Sequence, residues 1–294
     1  MTLVQLKYFT SVCDHGSVSA AAQSLFLSQP SLSAAIGELE AEFGVPLFHR
    51  HRRGMGLTAA GVQLYEQARQ LLGQAEQTRR TMTELGRGRM VLRLGVPPMI
   101  GSLLLPLLYR DFLTQHPQLS VTVTEGGRRE LLDRLNGDLL DMVFLPHDRP
   151  LSPGLDRLPV TEFETVCCLR KGHPLSARTR LCPEDLADTP LVLFQDSFFQ
   201  TERIRDWFSA AGMEPHIILQ TQQLSTLQSV VSSTDGACFL FRPLLEGQTQ
   251  LVPISLSDPF RVQVSLAWKQ GFARTPASQL LREYLTSTPF RLNA

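Results

Sequence analysis

The sequence predicts an α/β protein in which an α-rich N-terminal portion precedes a two-lobed α/β domain. Three observations carry that expectation. Apolar residues recur at helical spacing through about residue 85, strands and helices alternate from Met90 onward, and the alternation runs through two successive series. With 294 residues, 43% of them hydrophobic, the chain can bury more than one core. The expected parts are 1–58, a linker helix over 59–88, and 89–294.

The first helix rests on Leu3, Leu6, Phe9, Val12 and Cys13, and Gly16 ends it. Ser17 can cap a second helix over Val18 to Leu25, whose Ala20, Ala21 and Ala22 let a neighbouring helix approach closely. Ser28 can cap a third, with Gln29 and Pro30 in the first turn, where a missing proline amide costs nothing. Leu32, Ile36, Leu39 and Phe43 commit one face of it to a core. Gln29, Ser31 and Ser33 then lie near the free N-terminal end, where a helix laid in the major groove places its base-reading side chains.

A basic run follows. Leu47 and Phe48 precede His49, Arg50, His51, Arg52 and Arg53, after which Gly54 and Gly56 turn the chain, Leu57 packs back and Thr58 caps a new helix. A basic hairpin beside such a helix can straddle phosphates or enter the adjacent minor groove, so the expected partner is double-stranded DNA. Residues 1 to 90 hold nine Lys and Arg against seven Asp and Glu, and the whole chain has no net charge. Positive charge is therefore local, which fits operator recognition better than nonspecific coating.

These residues together resemble the winged helix-turn-helix of LysR-type transcriptional regulators. The resemblance rests on Ser28-Gln29-Pro30, Leu32-Ser33, Leu39-Glu40, Gly44-Val45-Pro46-Leu47-Phe48, Arg50, Arg53-Gly54 and Leu57-Thr58-Ala59-Ala60-Gly61. It implies DNA contacts from Gln29, Pro30, Ser33 and Arg53, with Arg50 and Thr58 supporting the wing; Ser31 and Arg52 join them from the reading of the residues. The chain departs from the family at Ala34, where a longer polar side chain is common, and Ala35 and Gly37 follow it. Readout should lean on Gln29, Ser33, the wing and DNA shape.

From Thr58 to Leu85, Tyr65, Ala68, Leu72, Ala75, Arg79 and Met82 form a heptad-like stripe. A helix of that length is about 40 Å long, more than a small domain covers, so pairing with a second copy is expected. The resemblance implies the same, as a homodimer or homotetramer, with RNA polymerase as a further candidate partner.

Beyond Gly86 and Gly88 the expected order is MVLRLGV, a helix over Ser102 to Gln115, SVTVTE, a helix over Arg129 to Leu135, and DMVFLP. ETVCCLRK, PLVLF, a helix over Thr201 to Ala211, HIILQT, a helix over Leu224 to Ser232, ACFLF, RVQVSLAWK and a helix over Ala277 to Leu285 complete it. Ligands favour the carboxyl ends of strands in such sheets. That rule selects Pro98, Met99, Ile100, Gly101 and Ser102, then Gly126, Gly127 and Arg128, Pro146 and His147, and Gln195, Asp196, Ser197, Phe198 and Phe199, with Ser225 and Thr226 opening a further helix.

The second half is similar to the effector-binding domain of the same regulators, itself like periplasmic binding proteins. By position, Ser102, Gly127, Asp196 and Ser225 match where the family contacts its small-molecule effector. An acidic residue facing the cleft at Asp196 would disfavour a simple carboxylate.

Five cysteines, an odd number without metal-ligand spacing, read as reduced thiols. Cys167 and Cys168 lie in one strand, where at most one is expected to face a core. A sensing pair of Cys168 and Cys182 is a minor alternative. No export signal or membrane-length apolar run is read, so the expected location is cytoplasmic. No cofactor, metal or membrane partner is expected, and no enzyme motif is found. A two-lobed α/β enzyme and a small-molecule-binding protein without operator recognition stand as alternatives.

Overall fold

A computed structural model describes residues 1–51, 54–86, 90–151, 153–271 and 275–287. The chain divides into two compact units, Met1–Thr83 and Glu84–Ala294.

The first unit opens with α1 (Leu3–His15), α2 (Val18–Ser24) and α3 (Gln29–Phe43). Thr2 and Gln5 form a reciprocal cap on α1, and Ser17 and Ser28 accept from Ala20 N and Ser31 N to start the next two helices. Leu6, Phe9, Val12, Ala21, Ala22, Leu32, Ile36 and Leu39 make the core they share. Leu3 and Phe43, expected in that core, are exposed, the one being the first residue of α1 and the other the last of α3. A hairpin of β1 (Phe48–His51) and β2 (Gly54–Leu57) follows, with Phe48 opposite Leu57 and Arg50 opposite Met55. The helix α4 (Ala59–Gly86) then runs for 28 residues.

The first lobe of the second unit contains β3 (Met90–Val96), α5 (Pro98–Leu107), β4 (Leu119–Glu125), α6 (Arg128–Asn136) and β5 (Met142–His147). The helix expected over 102–115 begins four residues earlier, with Pro98 in its first turn, and breaks after Leu107 into a wider turn of π type and a short 3-10 segment. Pro106 has no amide to donate back, which unsettles the ladder there. The chain then enters β6 (Leu155–Arg170), whose second half belongs to the other lobe.

That lobe contains β7 (Arg180–Leu181), β8 (Leu191–Phe194), α7 (Phe199–Ala210), β9 (Ile217–Thr221), α8 (Leu224–Ser233), β10 (Ala237–Phe241) and β11 (Leu251–Leu256). The chain returns through β12 (Arg261–Lys269) and ends its described part in α9 (Pro276–Ser287). The strand order β4-β3-β5-β12-β6-β10-β8-β9 repeats one pattern, since each lobe has three parallel strands joined to an antiparallel one.

Two expectations change here. The strand read as ETVCCLRK is twice as long, because Leu155 to Phe163 pairs with β12 across an irregularity opposite Pro159, a residue that disguises a strand. Both Cys167 and Cys168 are fully buried. They point to opposite faces as expected, but each face has its own core, Cys168 with Val166 and Leu240, Cys167 with Leu169 and Phe239.

Candidate functional site

In the first unit the polar first turns of α3 stand free. Gln29, Pro30, Ser31 and Ser33 are exposed, as are Ala34 and Gly37. Gln29 Oε1 accepts from Ser19 Oγ of α2 at 3.2 Å, which steers its amide group, and Ser31 Oγ pairs with the cap Ser28 at 2.7 Å. Phe26 lies in the α2–α3 turn at φ 55 with 97% of its surface exposed, a position sequence reading did not single out.

The wing is anchored at its base. Glu40 of α3 accepts from the amides of Leu47 and Phe48 at 2.7 and 3.2 Å. Thr58 Oγ1 donates to Pro46 O at 2.7 Å and accepts from Gly61 N at 3.0 Å, while its own amide donates to Leu47 O. Its hydroxyl is therefore committed to holding the hairpin. Gly61 lies so close that a Cβ on it would meet Leu47 O at 2.1 Å. Arg50 belongs to the β1 backbone; Arg52 and Arg53 lie outside the described residues.

The first part of α4 seals this unit, with Ala68 buried and Leu64, Tyr65 and Leu72 packed on the core. The Tyr65 hydroxyl bonds to Asp14, and that bond is the main reason its pKa is raised. Leu71 and Met82 are exposed on the same helix.

In the second unit a narrow, nearly closed pocket with a cavity volume of about 20 Å³ lies between the lobes. Pro97, Pro98, Met99 and Ile100 enter it from the β3–α5 connection, Arg128 from the start of α6, Pro146 from β5 and Val262 from β12. Phe194, Phe198, Phe199, Gln200 and Phe241 come from the other lobe. Gly127 meets that lobe directly, since a Cβ on it would lie 2.6 Å from Ser197 O and Oγ. Beside Pro146, buried His147 shares a 2.8 Å bond with Ser265 Oγ, and burial lowers its pKa.

Of the residues selected from sequence, Pro98, Met99, Ile100, Arg128, Pro146, Phe198 and Phe199 line the pocket, and Gly127 and Ser197 form its closing contact. Gly101 is buried behind it near Val96 and Glu125, and Ser102 is exposed. Ser225 is exposed and Thr226 bonds to Gln223. Asp196 bonds to Gln220 Nε2 at 2.9 Å and Arg205 at 3.1 Å, and these two bonds, Gln220 first, lower its pKa. It turns onto its own lobe and does not line the pocket, which removes the objection to a carboxylate ligand. Sequence reading passed over Phe241, Val262 and Gln200; the first two begin or end strands it had found, so the strand-end rule was their signal.

Residues 3–62 match the bacterial regulatory helix-turn-helix proteins of the lysR family, and residues 86–289 match the LysR substrate binding domain. The chain belongs to the LysR family. This LysR-type transcriptional regulator is 26% identical to the uncharacterized HTH-type transcriptional regulator YybE of Bacillus subtilis (strain 168), across 96% of this chain and 97% of that one. It is 28% identical to a hydrogen peroxide-inducible genes activator of Pectobacterium carotovorum subsp. carotovorum, across 82% and 80%. Its fold is like that of full-length CbnR solved with its target DNA, with a TM-score of 0.63 and 24% identity across 98% and 99% of the two chains. Among the described residues no helix is long and apolar enough to cross a membrane.

Proposed function

We propose that this LysR-type regulator reads a two-part operator through the N-terminal turns of α3 in two copies, and that a small molecule in the interlobe pocket controls the outcome. Gln29, Pro30, Ser31 and Ser33 face the bases or the adjacent backbone, while Arg50, Arg52 and Arg53 hold phosphates or the minor groove and Thr58 fixes the wing. The observation that carries the DNA half is the free polar end of α3 beside a hairpin tied to the same helix through Glu40. That CbnR was solved with target DNA supports it.

The exposed Leu71 and Met82 on α4 support pairing of two chains along residues 59–88, as a dimer or a pair of dimers. A domain reading of 1–58 for DNA, 59–88 for pairing and 89–294 for the effector follows. The names of the relatives are those of regulators, so we assign the chain no catalytic step, and we place its work beside DNA in the cytoplasm. An effector shifts the regulator only if it binds one lobe arrangement better than the other.

A thiol-sensing reading, raised by the peroxide-inducible relative, has the cysteines against it. Burial and Asp14 push the Cys13 thiol up to about 12, burial raises Cys167 and Cys238 well above the ordinary range, and hydrogen bonds to Glu184 and Asp185 raise Cys182. A thiol must ionise to attack peroxide.

The test is a gel shift of the full chain on DNA upstream of its own coding region, against random DNA of equal length. Wild type is expected to prefer the first, and Gln29→Ala to lose about five- to a hundredfold of that preference, the worth of a base contact. Arg53→Ala should weaken both DNAs alike and flatten the salt slope. Equal wild-type affinity for the two DNAs would sink the operator reading.

A further inference from the structure

The helices α1, α2 and α3 are each followed by a residue in the left-handed region of the backbone. Gly16 closes α1 at φ 62 and Gly44 closes α3 at φ 68, and without a Cβ both adopt that conformation at little cost. After α2 the corresponding place is taken by Phe26 at φ 55. Its amide donates to Gln23 O at 3.2 Å and the amide of Leu27 donates to Ala22 O at 2.9 Å, the two bonds of a Schellman turn. The turn therefore dictates the backbone at position 26, and a phenylalanine is strained there. Among the described residues the other non-glycine at positive φ is Asp138, a type that tolerates the left-handed region better.

The ring gives the fold nothing in return. It is 97% exposed, joins no core and makes no aromatic contact among the described residues, while Leu25 before it packs on the core and Leu27 after it is half-buried. A strained backbone and an uncovered apolar ring are two separate costs at one residue, and such costs gather where a surface serves something outside the fold. The surroundings indicate what. Residues 17–37 contain no Asp, Glu, Lys, Arg or His, and Phe26 is the one exposed large apolar residue of that stretch. Its exposed neighbours along the chain are Gln23, Ser24, Ser28 and Gln29. A protein–protein interface centres on a cluster of apolar side chains, and this ring has no such companions. DNA offers polar base edges with sugar carbons and thymine methyls among them, a surface that suits a lone ring set among serines and glutamines. With no cation on this stretch, apolar contact is the remaining source of affinity there, and phosphate is left to the wing.

We propose that Phe26 is a further DNA contact, its ring seated on the apolar surface of the operator beside the bases faced by the first turn of α3. The proposal rests on the reading that this turn faces the operator. Gln29 lies three residues on, at the first position of α3, so the ring and that amide are carried by one short turn. Burying the ring displaces water but no counterions, so Phe26 adds affinity that salt does not weaken, unlike the arginines of the wing. The free protein bears the strain and the exposed ring, and the complex recovers part of that cost.

The experiment is a gel shift of the full chain over a range of salt, on DNA upstream of its own coding region, with Phe26→Asn and Phe26→Leu beside wild type. A second copy of that DNA carries deoxyuridine in place of thymidine. Phe26→Asn, which suits a positive φ, is expected to be the more stable protein in urea and yet to bind roughly three- to tenfold more weakly, the worth of burying about half the ring, with the salt slope unchanged. Phe26→Leu should keep most of the affinity. If wild type loses more than Phe26→Asn on deoxyuridine DNA, by that same factor, the ring sits on a thymine methyl; equal losses by the two assign it to deoxyribose carbons. Undiminished binding by Phe26→Asn overturns the proposal, and a promoter response lost while binding is intact hands the ring to RNA polymerase or another protein. A flatter salt slope overturns it too, since a charge contact would then have been removed, and so does a less stable Phe26→Asn, which would give the ring a part in the fold. The operator reading fails separately, if wild type itself shows no preference for its upstream DNA over random DNA.

Discussion

The two candidate surfaces of this regulator are polar in opposite ways. At the start of α3 the hydrogen-bonding groups are exposed and already engaged, Gln29 with Ser19 and Ser31 with Ser28. In the interlobe pocket the donors are hidden, and one of them, Gln200 Nε2, has nothing to bond. Water satisfies the first surface when no DNA is present, so DNA must displace a contented shell and gains mainly from charge and fit. The second surface carries its cost permanently, and a ligand that relieves it stabilises the protein.

Mutations can break or sharpen that contrast. The largest effect is expected at the base of the wing, where Gly61→Ala drives a Cβ into Leu47 O; about 3 kcal/mol should be lost from the first unit in a urea melt, with operator binding lost alongside. A melt unchanged by that substitution would mean the wing does not sit on α4 as described. Next, Gln200→Leu should stabilise the unliganded chain by about 1–2 kcal/mol, because it removes an unpaired buried donor, whereas Gln29→Ala at the exposed surface should change stability by less than about 0.5 kcal/mol. Equal effects at the two positions would erase the distinction drawn above.

His147 sharpens the contrast through pH. Burial lowers its folded pKa below the unfolded 6.5, with the Arg157 and Arg128 charges acting in the same direction, so the folded state holds fewer protons there. Stability should be full above that value and fall as the pH drops through it, by no more than about 1.4 kcal/mol per pH unit, the limit for one proton. His147→Gln should flatten the slope between pH 7 and 5; an unaltered slope would assign it to other groups. A modest gain is expected at Phe26, whose φ of 55 strains a bulky residue. Phe26→Asn should gain about 1 kcal/mol without loss of core, since the ring is almost wholly exposed.

How far the sequence carries depends on the range of the interactions. Caps at Ser17 and Ser28, the recognition stripe and the strands ACFLF and RVQVSLAWK are decided within a few residues, and they lie where spacing puts them. The first half of β6 was hidden by Pro159 and its alternating charges, and β11, with Pro253 in its middle, was not read as a strand at all. At the pocket, the loops after strands were legible, but the direction of a side chain was not. Asp196 reads as a cleft residue until Gln220 and Arg205, far along the chain, take its carboxylate. Gln200 lies just before the helix expected over Thr201 to Ala211, and nothing in the local sequence marks its burial. Loop placement is topology; the direction of a side chain is set by contacts distant in sequence.

The long strand β6 has a mechanical meaning. It leaves one sheet and enters the other near Glu164 and Thr165, and the returning chain crosses beside it, with Thr165 N donating to Phe260 O and Arg261 opposite Glu164. Two plates joined by a pair of adjacent straps keep a single soft axis, like a book on its spine. A swing about that axis would open or shut the gap between Gly127 and Ser197 at the fore-edge. A small molecule caught between the pages can therefore turn only one kind of motion, and anything attached to either cover receives an angle.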